Sequence, residues 1–596
     1  MCIRDSSNSN SNSNSNSNGD SNNHNDGLIV DPLLHVEHDD DAPLPPSSST
    51  TIGWKLRSIR QIDTLPGGKY TQIRIIPNNS KAIIVYNGMN ADGIQLVSCE
   101  DAECNNLTIP RTIHNTDPNP RYIRMELSLE SSLPTLVYSA EGGTQMKLTV
   151  CLSVECTGTK SIILYGQEQE QHNKITVRTN DIVFLRSNNN NNNTQKKDQK
   201  DNLAAVVFGI SNPIDGCKLI LAQIQITTSS TSSSIVPAPN INTNTNNIDD
   251  DDDDDVDVEI KIMSMMDIIT SPIPFGVNVT EGIFTAGLEF PAIIESNNNN
   301  IDEKDKNGND AHIAYWDVVN RQLVMIFNAL SSKGGEQQQQ RKDVIVMSNT
   351  TNTSNPGSFV KILRQQQQQE RSDGVLWLTF YDLILGKMYM VQCNEIKQQC
   401  MEPYIIDSNI GDRTLANYGG GGFPSTYNIV DGDDGAVQSR PTILEAYFNN
   451  NNAESTGQLK LLELTPTAET ETEITTNTHT KENAAVESKS ANNNRNEVTT
   501  ATTTKSNDIY INVIAEGKQG FGRDSSMAYY HRRHDDNNSN NNSNSNNNDN
   551  DLLFISLLDL QGIDTPETQV AKLAIFERTS FSTQQEEEKN PTRISL

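Results

Sequence analysis

The 596-residue chain carries a formal net charge of −31 and only 34% hydrophobic residues, against roughly 45–50% in an ordinary globular protein. The negative charge excludes a general nucleic-acid partner, because no basic surface is available to replace the counterions on phosphate. No stretch approaches the roughly 20 apolar residues that a transmembrane helix requires.

The first 51 residues are expected to be disordered, because their Ser-Asn repeat cannot bury apolar surface. They contain no apolar segment of the kind found at the centre of a signal peptide. The opening residues Met1–Ser6 also resemble translated sequencing-adaptor sequence, so the natural start is expected to lie elsewhere. The missing signal peptide is therefore little evidence against secretion.

From residue 52 onward, a short apolar segment recurs seven times, each followed by a turn and a second, alternating segment. The first segments are 82–86, 135–138, 204–208, 312–315, 377–381, 443–447 and 554–558. The second segments are 94–99, 146–151, 217–222, 323–328, 388–393, 459–464 and 571–576. Their two-residue alternation predicts strands with one buried face. A further candidate strand precedes each pair and, in most repeats, another follows it, so each repeat predicts a four-stranded unit.

We therefore predict an all-β fold: a seven-bladed β-propeller of four-stranded antiparallel blades over 52–577. The blades are expected at about 70–113, 122–165, 175–263, 283–347, 358–407, 423–515 and 525–576. The last repeat lacks a fourth strand of its own. Segment 52–63 is expected to pair there, which closes the ring and covers two open sheet edges. The alternative is a separate N-terminal strand.

Asn-, Gln- and Asp-rich insertions interrupt the repeats and are expected to be disordered, as is the tail 578–596. The insertions are 187–201, 227–257, 296–310, 331–342, 365–373, 449–456, 465–507 and 535–551. All except 449–456 leave by the face that carries the first-to-second and third-to-fourth strand connections. The opposite, short-loop face is therefore the expected docking face for a protein or glycan ligand.

The repeats resemble those of large, uncharacterised β-propeller proteins, whose pattern joins Tyr-Tyr-Asp to Leu-Lys-Leu-x-x-Cys-x-x-x-x-Cys. The resemblance is clearest at Leu96–Cys104, Phe380–Asp382 and Ile555–Asp559. Repeats three, four and six depart from it, because they lack the cysteine pair. The resemblance implies the propeller fold and no particular activity.

Six of the eight cysteines form local pairs at equivalent places in three repeats: Cys99/Cys104, Cys151/Cys156 and Cys393/Cys400. A zinc site would need two pairs to converge, whereas these pairs belong to different blades. Disulfides are therefore favoured, and they indicate an oxidising compartment. Cys217 falls on an inward-facing strand position and is expected to be a buried thiol.

Three carboxylates, Asp317, Asp382 and Asp559, each follow a second strand on the short-loop face. They either converge on a cation or on sugar hydroxyls, or each caps its own turn, which is the commoner role. Calcium is a possible ligand of such carboxylates, but no motif in the sequence supports a calcium site. The sequence has no Gly-x-Ser-x-Gly elbow and no His-Glu-x-x-His motif. No catalytic, cofactor-binding or metal-binding residue is assigned.

These observations favour a non-enzymatic binding or adhesion module, secreted or at the cell surface and monomeric, with a protein or glycan ligand. The first alternative is a cytoplasmic interaction scaffold whose cysteines are reduced. The second is a propeller glycosidase or lyase, although a fold alone does not specify an activity.

Overall fold

The computed structural model describes part of the chain, and the ranges are the following: 51–63, 67–88, 93–114, 120–129, 131–166, 176–186, 199–212, 216–230, 256–271, 291–296, 310–317, 320–331, 341–348, 358–364, 374–382, 385–408, 425–429, 442–451, 456–465, 508–518, 523–530, 551–560, 569–581 and 592–595. Within them the chain forms thirty strands and one turn of 3-10 helix, Glu141–Gly143. The strands form seven antiparallel sheets, which we number in chain order by their first strands.

Sheets 1 to 3 have four strands each. Sheet 1 contains β2 (Gly67–Ile75), β3 (Ala82–Gly88), β4 (Gly93–Ser98) and β5 (Arg111–His114). Sheet 2 contains β6 (Arg121–Leu127), β7 (Pro134–Ala140), β8 (Gln145–Cys151) and β9 (Thr159–Tyr165). Sheet 3 contains β10 (Thr176–Leu185), β11 (Gln199–Asn212), β12 (Gly216–Ser230) and β13 (Val256–Ser271).

Sheets 4 to 7 have four or five strands. Sheet 4 contains β14 (Ala292–Glu295), β15 (Ala311–Asp317), β16 (Gln322–Phe327) and β17 (Lys342–Ser348). Sheet 5 contains β18 (Ser358–Arg364), β19 (Val375–Asp382), β20 (Lys387–Asn394), β21 (Gln399–Cys400) and β22 (Tyr404–Asp407). Sheet 6 contains β23 (Ser425–Ile429), β24 (Thr442–Asn451), β25 (Thr456–Thr465), β26 (Asp508–Lys518) and β30 (Thr592–Ser595). Sheet 7 contains β27 (Arg523–Tyr530), β28 (Leu552–Leu560), β29 (Gln569–Phe581) and β1 (Thr51–Gln61).

The first strands of the sheets lie innermost and contact one another in chain order, and β27 contacts β2. Small antiparallel sheets arranged radially in this way form a β-propeller. The all-β class and the propeller arrangement predicted from the repeat are therefore confirmed. The number of blades stays a prediction.

The core lies between consecutive sheets rather than inside one central cluster. One buried apolar cluster, for example, joins Val137 and Leu148 of sheet 2 to Val206 and Phe208 of sheet 3. The second strands β3, β7 and β15 are buried at all seven positions. The alternation predicted only one buried face, but the middle of a blade is covered on both faces by its neighbours.

The N-terminal strand completes sheet 7. β1 pairs antiparallel with β29, from Thr51 opposite Phe581 to Gln61 opposite Lys572, as predicted for segment 52–63. The backbone N–H of Ile62 then donates to the carbonyl oxygen of Ala571 at 2.9 Å. Gly68 has φ +107°, and a Cβ atom there would lie 2.8 Å from the Cα atom of Ala571. Glycine is therefore needed where β2 passes β29.

Several strands extend into segments predicted to be disordered. Residues 449–451 pair with 456–458, so the described residues of the predicted insertion 449–456 continue a strand ladder. In sheet 3, 227–230 pair with 256–259, and 199–201 pair with β12. The predicted disordered tail is wrong at 578–581, in β29, and at 592–595, which pair with β26. Backbone pairing explains the difference, because polar residues can continue a ladder whose register is already set. Most of the other predicted insertions, and residues 1–50, lie outside the described residues.

Candidate functional site: the axial channel

The first strands of five sheets carry the same irregularity near their start. Two residues oppose a single residue of the second strand at 70–71, 122–123, 178–179, 359–360 and 524–525. Such a β-bulge bends the strand and re-aims its side chains. Because each first strand enters from a blade-crossing link, the bulges lie towards the short-loop face.

Aromatic residues occupy the first bulge position in three of these strands. Tyr70, Tyr122 and Phe359 have φ values of +57°, +54° and +56°, a left-handed conformation that bulky residues adopt only where their surroundings enforce it. The Tyr70 and Tyr122 rings lie 5.2 Å apart. Tyr70 also packs against the cluster that contains Phe359, and sheets 1 and 5 are not neighbours. The three residues therefore form an aromatic layer across the propeller axis.

Beyond the aromatic layer lies a cavity of about 500 Å³, which we call the axial channel. Its wall comes from the first strands of six sheets and the residues just after them: 72, 74, 75, 77, 124, 126–129, 181–183, 293, 361–363 and 525–529. Leu129, in this wall, is 51% exposed, so the channel reaches solvent there. That end belongs to the face of the first-to-second strand connections, opposite the short-loop face.

Two ion pairs join neighbouring strands in the channel wall. Arg74 Nη2 lies 3.1 Å from Glu126 Oε2, and Arg124 Nε lies 3.8 Å from Asp181 Oδ1. The backbone N–H of Ile293 donates to Asp181 Oδ2 at 3.2 Å. The pairs link sheet 1 to sheet 2 and sheet 2 to sheet 3. They place guanidinium and carboxylate groups side by side along the channel.

A buried hydroxyl in the same wall has no hydrogen-bond partner among the described residues. Ser525 is 2% exposed, and its Oγ atom makes no hydrogen bond with any described residue. Its neighbour Ser526, by contrast, accepts a hydrogen bond from the backbone N–H of Ile73 at 3.2 Å. Leaving a buried polar group unsatisfied costs about 1–3 kcal/mol. A polar ligand in the channel would remove that cost.

The carboxylates singled out in the sequence have local partners. Asp317 accepts from the backbone N–H and the side-chain amide of Asn320, at 3.2 and 2.7 Å. Asp382 Oδ1 accepts from the backbone N–H of Leu385 at 3.0 Å. Both therefore cap their own turns, the second of the two roles considered for them. Asp559 lies in β28, and its side chain is outside the described residues.

All three predicted disulfides are present: Cys99–Cys104, Cys151–Cys156 and Cys393–Cys400. Cys217 is buried and lies outside them. Three disulfides are typical of extracellular proteins. Across the described ranges, no group of three or more His, Cys, Asp or Glu side chains is arranged to hold a metal ion.

A second polar cluster lies between sheets 4 and 5. Glu395 Oε1 accepts from His312 Nε2 at 2.8 Å, Arg364 Nη2 at 3.0 Å and Ser296 Oγ at 3.1 Å. His312 Nδ1 accepts from the backbone N–H of Asn328 at 3.1 Å, which places the imidazole proton on Nε2. Since His312 is fully buried, this cluster joins sheets rather than facing a ligand.

Burial raises the pKa of two carboxyl groups beside this cluster. For Glu295, burial outweighs the opposing effects of Arg186 and Arg364. For Asp310, burial outweighs the hydrogen bonds donated by Ser331 and by two backbone N–H groups. The desolvated carboxylates are thus less favourable in the folded protein than in water.

The sequence reasoning missed both the channel wall and the cluster around Glu395. The available signals were a basic residue before an aromatic one, at Lys69-Tyr70 and Arg121-Tyr122, and charges that alternate along the first strands. For the cluster, the signal was one histidine, His312, at the start of an apolar second strand. The structure contains no helix long and apolar enough to cross a membrane in the ranges it describes.

No family model matches the sequence, and no curated protein matches it. Among solved structures, the chain is similar to S. cerevisiae core factor, with TM-score 0.35 and 7% identity over 91% of this chain and 63% of that one. It thus spans less than two thirds of the core-factor chain. It is also similar to a GH62 hydrolase in complex with xylotriose (TM-score 0.28, 10% identity, 68% and 93% covered). A prolyl endopeptidase gives TM-score 0.30 at 6% identity, with 82% and 47% covered. Likenesses this low assign no activity.

Proposed function

We propose that the chain is a secreted or cell-surface binding module whose axial channel takes the end of a glycan. The observation that carries this proposal is the channel itself, whose wall contains charged side chains, the aromatic side chain of Tyr529 and the buried Ser525 hydroxyl. Ligand sites in proteins combine aromatic surface with a few placed polar groups. A sugar offers both an apolar ring face and hydroxyl groups that donate and accept hydrogen bonds.

The proposal includes a closed ring of seven blades. Buried apolar clusters at every junction support it, the last of them between sheets 7 and 1. The three disulfides support an extracellular location, because they persist in oxidising compartments.

The channel, rather than the short-loop face, is the proposed site. Asp317 and Asp382 Oδ1 cap their own turns on the short-loop face, which supports a site elsewhere. The cavity lies on the other side of the aromatic layer and reaches solvent at Leu129. The insertions leave by that same face.

Binding without turnover is part of the proposal. A glycosidase uses one carboxyl group as acid and a second as base or nucleophile. The described channel carboxylates, Glu126 and Asp181, are each paired with an arginine, an arrangement that serves recognition through charged hydrogen bonds.

Ser525→Ala tests the site. This change removes one hydroxyl that makes no hydrogen bond with the described residues, so we expect folding to be preserved while a ligand bond is lost. We expect glycan affinity to fall about tenfold, which corresponds to roughly 1.4 kcal/mol. The measurement is calorimetric titration of the full chain with a ligand selected on a glycan array.

Thr135→Val is the matched control. Thr135 is also fully buried, and its Oγ1 atom makes no hydrogen bond within the described ranges, but it does not line the channel. Equal affinities for both variants and the unchanged protein would contradict the channel site, and release of cleaved sugar would contradict binding without turnover. Six reactive thiols at the paired cysteines of unreduced native protein would instead support the cytoplasmic scaffold.

A further inference from the structure

The disulfide loops share a position: each packs against the sheet that precedes its own. Cys151, Cys156 and Val154 of sheet 2 pack with Ile83 and Ile113 of sheet 1. In sheet 5, β21 contacts β17, the outer strand of sheet 4. The loop closed by Cys99–Cys104 belongs to sheet 1, so its preceding sheet is sheet 7. The outer strand there is β1.

Two arginines of β1 hold this loop. Arg57 Nη2 donates to Glu103 Oε2 at 2.7 Å, and Arg60 donates to the carbonyl oxygen of Asn105. Asp101 Oδ1 shapes the loop by accepting from the backbone N–H groups of Glu103 and Asn105, at 2.9 and 3.0 Å. Both contacts with β1 therefore depend on the conformation that the disulfide closes.

The disulfide is itself part of the junction between sheets 7 and 1. Cys99 and Cys104 are 1% and 0% exposed. They belong to the apolar cluster that includes Ala571 and Leu573 of β29. A reductant therefore cannot reach either sulfur atom while this junction is closed.

We propose that the Cys99–Cys104 loop locks the ring closure and that the docked β1 in turn shields this disulfide from reduction. When the junction opens, a thiolate of a dithiol reductant attacks one sulfur and breaks the S–S bond. The second thiol of the reductant then resolves the mixed disulfide. Two electrons pass to the protein, Cys99 and Cys104 become thiols, and the reductant becomes a disulfide. This inference is independent of the proposed ligand.

The first test measures the reduction rate of each disulfide separately in the full chain. Samples treated with dithiothreitol are alkylated at intervals and mapped by mass spectrometry. In the double variant Arg57→Glu/Arg60→Glu, we expect Cys99–Cys104 to be reduced at least fivefold faster, with Cys151–Cys156 unchanged. Lys160→Glu is the control, because it removes a surface pair with Asp257 away from β1. Equal acceleration of both disulfides, or of neither, would overturn the proposal.

The second test reverses the direction of the coupling. Cys99→Ser/Cys104→Ser is compared with Cys151→Ser/Cys156→Ser, which opens a loop of the same five-residue separation. Hydrogen exchange of the amides in 51–61 is expected to accelerate about tenfold in the first variant and not in the second. Identical exchange of β1 in the two variants would show that the loop does not lock the closure.

Discussion

The junction between sheets 7 and 1 and the junction between sheets 4 and 5 occupy equivalent places in the repeat, yet different chemistry holds them. The first is an apolar cluster with a disulfide, whose loop is held by Arg57 and Arg60 of β1. The second also has apolar packing, but it contains Glu395 with three donors. The comparison shows that the repeat determines which strands of neighbouring sheets pack together. It does not determine whether apolar contacts, a disulfide or a buried polar cluster stabilises the junction.

The two kinds of junction should respond differently when a side chain is removed. An apolar junction loses stability in proportion to the contacts removed. A buried polar cluster depends on every member, because each remaining charge or donor becomes unsatisfied when one is lost.

The largest effect is expected from Glu395→Ala. This change leaves the partly buried Arg364 and the buried His312 without their shared acceptor. We expect the free energy of unfolding to fall by about 3–5 kcal/mol, as for other broken buried pairs. Denaturant unfolding of the full chain measures it.

Asp343→Ala is the control for that change. Asp343 pairs with Arg341 at 3.0 Å in sheet 4 but is 49% exposed, so its removal should cost less than about 1 kcal/mol. Similar losses for the two variants would mean that the Glu395 cluster adds nothing beyond a surface pair.

An intermediate effect is expected at the other junction from Gly68→Ala. The added Cβ atom meets the backbone of Ala571, and φ is +107°, so the free energy of unfolding should fall by about 2–4 kcal/mol. Gly142→Ala has φ +68° with open space around it and should cost only about 1 kcal/mol. If both variants unfold at the same denaturant concentration, β2 and β29 are not as close as described.

The smallest effect concerns pH at the polar junction. Burial raises the pKa of Glu295, so its stabilising contribution is complete below the ordinary glutamate pKa. That contribution is lost as pH rises through the raised value. Glu295→Gln should therefore flatten the decline of the free energy of unfolding over this pH interval, and by less than either of the losses expected above. An unchanged slope in denaturant titrations at several pH values would contradict this account.

The sequence was sufficient to predict the fold class, because apolar side chains mark the second and third strands of each repeat. It was insufficient for strand ends such as Asn449–Asn451, where backbone pairing continues through polar residues. A basic residue before Tyr70 and Tyr122 is a local signal at these bulges, but it does not specify their positive φ values. His312 and Glu395 are 83 positions apart, so only the assembled fold brings them together.

The pairing of β1 with β29 also has a consequence for the order of folding. These strands lie about 500 residues apart in the chain, and a ribosome adds only about 5–20 residues per second. During synthesis β1 therefore waits roughly half a minute or more for its partner, with its backbone hydrogen-bonding groups unpaired. Closure therefore cannot precede the synthesis of β29, and the nascent chain must be kept from pairing with other molecules until then.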